Sequence, residues 1–315
     1  MIATERVSVK LLVINNLSAG YSDGAVYDYV RMVVFDADEV CIRCTDGTTD
    51  VRTLLHDAED FDAVVVAGGD GTIATVSYCL ANTGIPILPF PAGTANLLAN
   101  HLASPIEPHA LAKMTREMRT LDFDLGELEV AGRHYGFGIM AGAGYDATIM
   151  HDAKPSKKTL GPMAYFQAAM ANPTPQVSAI TLTLDDGTVE CEALGVLLVN
   201  FSKIQFDITV THDNEPRDGS FDVVILKAEN AFGLIPALFA GLLDRDGDFP
   251  DRTDSLEFHR ARHVYVEADP PMHVQYDGEV PGLSTPFEAR VLDGAARFIL
   301  SENGYDQFVG DADRS

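Results

Sequence analysis

The sequence predicts an α/β N-terminal domain with a parallel sheet, followed by a β-rich C-terminal domain that forms an antiparallel sandwich. Strand and helix patterns alternate over residues 1–121, which is typical of a sheet covered by helices on both faces. Over residues 122–302 short strand patterns dominate, and Asp-Gly turn signals separate several of them. Residues 303–315 are polar and acidic, so we expect a flexible tail there.

The elements of the first domain follow from the spacing of apolar residues. Four apolar runs predict strands, at residues 7–14, 39–44, 61–67 and 85–88. Helical spacing and helix-start signals predict helices at residues 25–35, at 49–58, after the glycines at 68–71, and from near Thr94 and Glu107. In such an arrangement the strands end at one edge of the sheet, where α/β proteins bind their ligands.

The second domain is predicted from a succession of strand patterns. They lie at residues 121–130, 134–140, 177–184, 189–201, 220–227, 255–267 and 273–276.

The charge of the chain excludes one class of partner. Among 315 residues, 22 are Lys or Arg and 47 are Asp or Glu, which gives a formal net charge of −25 at pH 7. Such a surface repels nucleic acid, so we expect no nucleic-acid partner. The longest nearly apolar run, residues 231–243, is shorter than the roughly 20 residues of a membrane-spanning helix. We therefore expect a cytoplasmic protein, and a peripheral position at a membrane stays open.

The strongest functional signal is a glycine-rich turn between a predicted buried strand and a helix. It consists of Gly68, Gly69, Asp70, Gly71 and Thr72. Glycines let the backbone approach phosphates closely, and the N–H groups at a helix start attract anions. Asp70 is a candidate to hold Mg²⁺, directly or through water, and Thr72 is a candidate to hydrogen-bond a phosphate. A tight turn without a ligand is the alternative, but this combination of residues favours phosphate binding.

A second loop follows the next predicted strand. It reads Pro-Phe-Pro-Ala-Gly-Thr-Ala-Asn at residues 89–96, and it is expected at the same sheet edge as the glycine-rich turn. An N-capped helix after a proline turn is an alternative that is compatible with ligand binding.

The two loops resemble those of a kinase family. Gly-Gly-Asp-Gly-Thr resembles the loop shared by NAD kinases, phosphofructokinase-like enzymes, diacylglycerol kinases and sphingosine kinases. The second loop is similar to the Pro-x-Gly-Thr-x-Asn segment of the diacylglycerol kinase catalytic domain. The resemblance implies that Thr94 contacts the nucleotide of ATP, with Asn96 nearby.

Two further stretches belong to the same resemblance. Residues 15–20, Asn-Asn-Leu-Ser-Ala-Gly, partly match the family's Asn-Pro-x-Ser/Ala-Gly loop, with Asn16 in place of the proline. The resemblance implies ATP contacts by Asn15 and by Thr45, which lies just past the second predicted strand. No Lys or Arg follows the loop closely, which implies a weaker grip on the ATP phosphates.

An Asp-Gly turn in the second domain has two interpretations. Residues 215–222 resemble the family's Pro-x-Asp-Gly-x-Leu/Phe-Asp segment, which supplies a structural magnesium site. Carried over by position, Asp218 would be the side-chain ligand, with the backbone carbonyls of Glu215 and Ser220. Mg²⁺ favours such oxygen ligands. A hairpin turn without a metal fits the spacing equally well.

The catalytic group is predicted in the turn Asp277-Gly278-Glu279. Phosphoryl transfer from ATP to a hydroxyl requires a base at that hydroxyl. In the resembled kinases this element supplies the acid/base carboxylate. The resemblance therefore implies Glu279 as the proton acceptor, with Asp277 orienting it or sharing the task. Taken alone, two acids in a turn are common on protein surfaces.

Three more features concern the second domain. Residues 142–147 resemble the family's Gly-x-Gly-x-Asp-Ala element, interpreted as a turn that enters a helix with Asp146 as a structural cap. A basic cluster and two apolar stretches are hypothesised to flank an acyl pocket, although plain core is the alternative for the apolar stretches. They are Lys154, Lys157, Lys158, residues 160–170 and residues 231–243.

These stretches occur in the family's order and cover roughly residues 10–300. The chain is identified as a member of the diacylglycerol kinase-like lipid kinases, related to sphingosine kinases and more distantly to NAD kinases. The resemblance implies ATP- and Mg²⁺-dependent phosphorylation of a lipid hydroxyl. An NAD or other small-molecule kinase is the first alternative, since the glycine-rich turn alone would fit it. The second is a nucleotide-binding regulator without turnover, because the altered loop at residues 15–20 leaves room for it.

Overall fold

The computed structural model describes residues 8–19, 24–35, 38–144, 176–201, 215–227 and 256–309. The chain forms two compact units. The α/β unit comprises Met1–Phe123 and Gly294–Ser315, and the β-rich unit comprises Asp124–Asp293.

The α/β unit contains the predicted parallel sheet. Its first four strands are β1 (Lys10–Asn16), β2 (Glu39–Thr45), β3 (Ala63–Gly68) and β4 (Pro86–Pro91). They lie in the order β2-β1-β3-β4, and all three neighbouring pairs are parallel. Every residue of β3 is buried, as expected for a strand with both faces covered.

Five described helices of this unit lie between these strands in the sequence or after the last of them. They are α1 (Ala25–Val33), α2 (Val51–Leu54), α3 (Asp70–Cys79), α4 (Leu97–His101) and α5 (Pro108–Glu117), with a short 3₁₀ helix at Ala58–Asp60. Helix α1 buries Val26, Tyr29 and Val33, which share one face because their spacing follows the helical period. The Tyr29 hydroxyl hydrogen-bonds Thr115 Oγ1 at 2.9 Å, which satisfies both polar groups inside the core.

A bidentate ion pair connects β2 to the segment after α2. Arg43 Nη1 and Nη2 donate to Asp57 Oδ1 and Oδ2 at 2.5 and 2.7 Å. Arg43 Nη1 also donates to the carbonyl of Leu54 at 2.6 Å. The hydrogen bonds from Arg43 lower the pKa of Asp57 to about 2, because they stabilise the charged carboxylate.

The β-rich unit is a sandwich of antiparallel strands, as predicted. Among the described residues, the strands that begin between 120 and 274 are β5 (Thr120–Val130), β6 (Arg133–Phe137), β7 (Met140–Gly144), β8 (Ser178–Leu184), β9 (Gly187–Ala193), β10 (Gly195–Val199), β11 (Phe221–Leu226), β12 (Leu256–Ala261), β13 (His263–Asp269) and β14 (Val274–Tyr276). One sheet has the order β12-β11-β10-β7-β14. In the other, β13, β8 and β9 pair in that order and β5 pairs with β6. Alternate residues of β8 are buried and contribute Ile180, Leu182 and Leu184 to the core.

The structure corrects three predicted elements of this unit. The predicted strands at residues 134–140, 189–201 and 255–267 are each interrupted by a bend of one or two residues, giving β6 and β7, β9 and β10, and β12 and β13. Gly142 and Gly144 were expected in a turn that enters a helix, but both lie in β7. A Cβ atom on Gly142 would lie 2.3 Å from the carbonyl oxygen of Val196, so glycine permits the close approach of β10.

The final strand returns the chain to the α/β unit. Strand β15 (Phe287–Ile299) pairs with β13 in antiparallel fashion through its first residues. Further along, its residues Arg297 and Phe298 pair in parallel with Pro86 and Ile87 of β4. The expected tail from residue 303 instead begins with helix α6 (Glu302–Phe308), because Ser301 Oγ accepts the N–H of Gly304 as an N-cap.

Two sets of predictions fall outside the described residues. They are Asp146 and the hypothesised acyl-pocket flanks, namely Lys154, Lys157, Lys158, residues 160–170 and residues 231–243. Within the ranges that are described, no helix is long and apolar enough to cross a bilayer.

Candidate active site

The glycine-rich turn joins β3 to α3. Gly69 is the N-cap residue, and its carbonyl accepts the N–H groups of Thr72 and Ile73 at 2.9 and 3.1 Å. The Thr72 side chain lies directly over Gly68, where a Cβ atom would come within 2.7 Å of Thr72 Cβ. Glycine at position 68 therefore makes room for the threonine. No side chain caps the start of this ten-residue helix, and the helix N-terminus provides a favourable environment for a phosphate.

The second loop contacts the glycine-rich turn backbone to backbone. A Cβ atom on Gly93 would lie 2.6 Å from Gly69 Cα, so this contact requires glycine. Asn96 has a left-handed conformation with φ of 50°, and its Oδ1 accepts the Gly93 N–H at 2.7 Å. Asn96 thus shapes the loop, whereas Thr94 is exposed. The structure brings the two loops together at the carboxyl ends of β3 and β4.

Asp70 ties the two loops together through a side chain. Its Oδ1 accepts the N–H of Leu98, in the first turn of α4, at 3.0 Å. The α/β unit therefore holds the Asp70 carboxylate at the sheet edge between the two loops. This bond engages one carboxylate oxygen of a residue that was predicted to hold Mg²⁺.

The loop after β1 approaches the same turn. Asn16 Nδ2 donates to Thr72 Oγ1 at 2.8 Å, and Asn16 Oδ1 accepts the N–H of Ser18 at 3.0 Å. Asn15 is buried at the end of β1. Thr45 is also buried, and its Oγ1 accepts the N–H of Gly47 at 3.0 Å, which shapes the turn after β2.

In the β-rich unit, the predicted catalytic residues form a two-residue hairpin turn. Tyr276 and Glu279 exchange backbone hydrogen bonds of 3.0 and 2.7 Å. Asp277 and Gly278 have φ values of 43° and 81°, as the type I′ turn favoured by Asp-Gly requires. The turn leaves the Glu279 side chain exposed.

The Asp277 carboxylate is bound by backbone N–H groups. Its Oδ2 accepts from Gly138 at 2.6 Å, and its Oδ1 accepts from Ile139 and Met140 at 2.8 and 3.0 Å. The backbone N–H of Asp277 donates to the carbonyl of Met140 at 2.8 Å. These bonds fix the turn that carries Glu279, so the geometry favours an orienting role for Asp277.

Tyr276 lies beside the two acids of the turn. Its ring packs against that of Tyr135, with centroids 4.9 Å apart. Burial, together with the nearby charges of Glu279 and Asp277, raises the pKa of Tyr276 to about 12. Its phenol is therefore neutral at physiological pH.

The segment at residues 215–220 holds the predicted metal ligands. Asp218 Oδ1 accepts the N–H and the Oγ–H of Ser220 at 2.9 and 2.7 Å, and its Oδ2 is paired with Arg260. The Glu215 carbonyl accepts the Asp218 N–H at 3.3 Å. Burial raises the pKa of the Glu215 carboxyl, and the neighbouring Asp218 and Asp124 carboxylates add to this effect.

The oxygen atoms of residues 215–220 are of the chemical types that bind Mg²⁺. One carboxylate and two backbone carbonyls are the hard ligands that Mg²⁺ accepts, with water completing its shell. The raised pKa of Glu215 comes mainly from partial burial, and the nearby Arg217 opposes it. However, Asp218 is already paired with Arg260, so a metal would compete with that guanidinium. Among the described residues, no three His, Cys, Asp or Glu side chains are grouped to hold a metal.

Two known domain families together match most of this chain. The diacylglycerol kinase catalytic domain matches residues 10–128, and the YegS C-terminal NAD kinase beta sandwich-like domain matches residues 139–300. The chain belongs to the diacylglycerol kinase-like lipid kinase family. This confirms the resemblance drawn from the short motifs.

Individual relatives agree with this membership. A diacylglycerol kinase of Mycobacterium tuberculosis is 27% identical over 265 residues, which cover 81% of this chain and 82% of that protein. A protein of Synechocystis sp. is 27% identical over 75% of this chain, which spans only 54% of that longer relative. The structure of a diacylglycerol kinase from Bacillus anthracis has a TM-score of 0.68 at 20% identity, covering 94% of this chain and 98% of that one. This structural likeness shows the shared fold.

Two buried residues that contact the predicted site segments escaped the sequence motifs. Asp124 is fully buried, and its Oδ2 accepts the N–H of Gly219 at 2.7 Å. Asn200 is also fully buried, and its Nδ2 donates to the carbonyls of Asp124 and Gly138, both at 2.8 Å. Asn200 thus links two segments by hydrogen bonds. One contains Gly138, whose N–H binds Asp277, and the other is β5, in which Asp124 binds the predicted metal loop at Gly219. For Asn200, the only signal in the sequence was that a polar residue directly follows the apolar strand β10.

Proposed function

We propose that this protein transfers the γ-phosphoryl group of ATP to a lipid hydroxyl, with Mg²⁺ as the cofactor. The contact between Gly69 and Gly93 carries the proposal, because it joins two glycine loops at the edge of a parallel sheet where a phosphate chain finds backbone N–H groups. Family membership supports phosphoryl transfer.

In this proposal the α/β unit binds the nucleotide. The backbone of residues 68–71 and the hydroxyl of Thr72 contact the phosphates of ATP. Thr94, Asn15 and Thr45 are the other proposed contacts, and Asn96 holds the second loop in shape. Binding by backbone groups suits a chain with a net charge of −25, since it needs few cationic side chains.

Glu279 accepts the proton of the acceptor hydroxyl. As the hydroxyl oxygen bonds to the γ-phosphorus, the bond from that phosphorus to the β,γ-bridging oxygen breaks and ADP leaves. The hydroxyl proton passes to the Glu279 carboxylate. Asp277 keeps the turn in place through its three backbone hydrogen bonds.

Mg²⁺ supplies charge neutralisation at the phosphates and structural support when bound. Asp218 is its proposed side-chain ligand, with the carbonyls of Glu215 and Ser220, and Asp70 is a candidate ligand near the phosphates. The proposed acceptor is a diacylglycerol-like or sphingosine-like lipid. The protein would act from the cytoplasm at a membrane surface.

An acceptor panel tests the function. Labelled ATP and Mg²⁺ are incubated with diacylglycerol, sphingosine, other lipids and NAD, and the labelled products are separated. We expect label on a lipid hydroxyl. Label on NAD alone would replace the lipid acceptor by a small molecule, and ATP binding without transfer to any acceptor would indicate a regulator.

A further inference from the structure

A hydrogen bond from Asn16 makes the hydroxyl oxygen of Thr72 an acceptor. A backbone N–H can only donate, so the Asn16 atom that faces the Ser18 N–H at 3.0 Å is the carbonyl oxygen Oδ1. The amide NH₂ of Asn16 therefore faces Thr72 Oγ1, at 2.8 Å. Because an NH₂ group only donates, the Thr72 oxygen is the acceptor of this bond.

The orientation leaves the Thr72 proton for another acceptor. A threonine hydroxyl has one proton and two lone pairs, and here the Asn16 amide uses a lone pair. The side chain is also held in place over Gly68, where only a glycine leaves enough room. Within the described ranges, the Thr72 hydroxyl donates to no protein atom.

A phosphate matches this arrangement. Phosphate oxygens are hydrogen-bond acceptors, and they bind a hydroxyl most strongly when its proton already points toward them. Thr72 lies in the first turn of α3, where the helix N-terminus also favours an anion. A proline, which the similar loops carry at the position of Asn16, has no side-chain group that could orient this hydroxyl.

We propose that Asn16 is a positioning residue that fixes the Thr72 hydroxyl as a hydrogen-bond donor to a nucleotide phosphate. This inference rests on the proposed function, since it requires that ATP binds at the glycine-rich turn. By donating to Thr72 Oγ1, the Asn16 amide leaves the hydroxyl proton available to the phosphate.

Asn16→Asp is the most informative variant. A carboxylate has nearly the same shape and still accepts the Ser18 N–H, so the turn after β1 is preserved. Toward Thr72, however, it can only accept. The Thr72 proton then turns to the carboxylate and away from the phosphate, which reverses the hydrogen bond. The added negative charge also weakens ATP binding, so this effect needs a separate measurement.

A double-mutant cycle separates the two effects. Asn16→Asp and Asn16→Ala are each made in the native chain and in the Thr72→Val background, which lacks the hydroxyl but keeps the side-chain shape. The Kd for a non-hydrolysable ATP analogue with Mg²⁺ is measured by calorimetry on the full chain. The unfolding midpoint of each variant confirms that it is folded.

We expect Thr72→Val to weaken analogue binding by about tenfold or more, the usual effect of losing a hydrogen bond to a charged group. Both Asn16 variants should weaken binding in the native chain. In the Thr72→Val background, Asn16→Ala should have almost no further effect, and Asn16→Asp should keep only the effect of its charge. Thr72→Ser, which retains the hydroxyl, should keep the sensitivity to Asn16→Ala.

Equal effects of the Asn16 variants in both backgrounds would overturn the inference, because Asn16 would then act independently of Thr72. That result would leave the proposed function intact, since the native chain would still bind the analogue. If the native chain itself bound no ATP analogue, the proposed function would fail, and this inference would fail with it.

Discussion

Asp277 and Asn200 both hydrogen-bond the backbone of Gly138: Asp277 binds its N–H, and Asn200 binds its carbonyl. Asp277 Oδ2 accepts the Gly138 N–H at 2.6 Å, and Asn200 Nδ2 donates to the Gly138 carbonyl at 2.8 Å. The turn with Glu279 is thereby linked through Gly138 to a fully buried amide. The position of the candidate base Glu279 thus depends on hydrogen bonds that Gly138 makes outside the turn.

Asp277→Asn should destabilise the protein and slow turnover. In the aspartate, three backbone N–H groups donate to the carboxylate, and an amide NH₂ in place of one oxygen would face an N–H group. We expect a loss of about 1–3 kcal/mol in the free energy of unfolding, measured with urea. Asp269→Asn, an exposed site at the end of β13, is the control. An unchanged stability would mean that these bonds contribute nothing net.

Glu279→Gln should remove the proton acceptor and leave the nucleotide site unchanged. We expect kcat with the preferred lipid to fall by at least about a hundredfold, with ATP affinity within about twofold of the native value. Glu192→Gln, at an exposed position of β9, serves as the matched control. A near-normal rate for Glu279→Gln would assign the base to another residue.

Gly93→Ala should weaken ATP binding. The new methyl group would lie 2.6 Å from Gly69 Cα, so the two glycine loops would have to separate. We expect at least a tenfold rise in the Kd for ATP, since both loops form the proposed site. Gly24→Ala is the control, because its methyl group would meet no atom within 4 Å. Equal affinities in the two variants would show that the loop contact is irrelevant to the nucleotide.

Arg260→Gln should increase the apparent affinity for Mg²⁺. Arg260 pairs with Asp218 and lies 3.2 Å from Asp222, so it competes with a cation for the Asp218 carboxylate. We expect a several-fold decrease in the Mg²⁺ concentration that gives half-maximal activity. Arg133→Gln, which removes an exposed arginine of β6, provides the comparison. The same Mg²⁺ requirement in native chain and Arg260→Gln would argue against Asp218 as a metal ligand.

Asp57→Asn should reduce stability in a way that depends on pH. The folded-state pKa of Asp57 is about 2, below the usual value of 3.8, so its ion pair with Arg43 stabilises the folded protein above pH 3.8. This contribution declines as the pH falls from 3.8 through 2. Thermal unfolding at pH 7, 6 and 3 should give the same difference between native and Asp57→Asn proteins at pH 7 and 6, and a smaller one at pH 3. Asp60→Asn, at an exposed site nearby, is the control, and a constant difference for Asp57→Asn would contradict the assignment.

The sequence allowed the parallel strands and their loops to be predicted because the signals are local. Strand β3 is an unbroken apolar run, and the turn after it contains glycines whose crowding the structure explains at Gly68. Strand β15 was missed, although its first residues alternate between buried Phe287 and Ala289 and exposed Glu288 and Arg290, as in a half-buried strand. Its conformation is determined by pairing with distant strands.

The candidate site was predictable where a motif is contiguous and not where contacts are distant. Asn200 and Asp124 are 76 residues apart, and only the folded chain shows that the Asn200 amide bonds the Asp124 carbonyl. The role of Asn16 was also hidden, because its partner Thr72 lies 56 residues along the chain. Buried polar residues acquire their roles from tertiary partners, which no short pattern records.

The course of β15 has a consequence for biosynthesis. Phe298, Ile299 and Leu300 are completely buried in the α/β unit, yet the ribosome makes them after the whole β-rich unit. Until they emerge, β4 has an unpaired edge along Pro86 and Ile87, which is prone to association with other chains. The nucleotide loops are therefore translated before the strand that completes their sheet, and the whole β-rich unit is made in between.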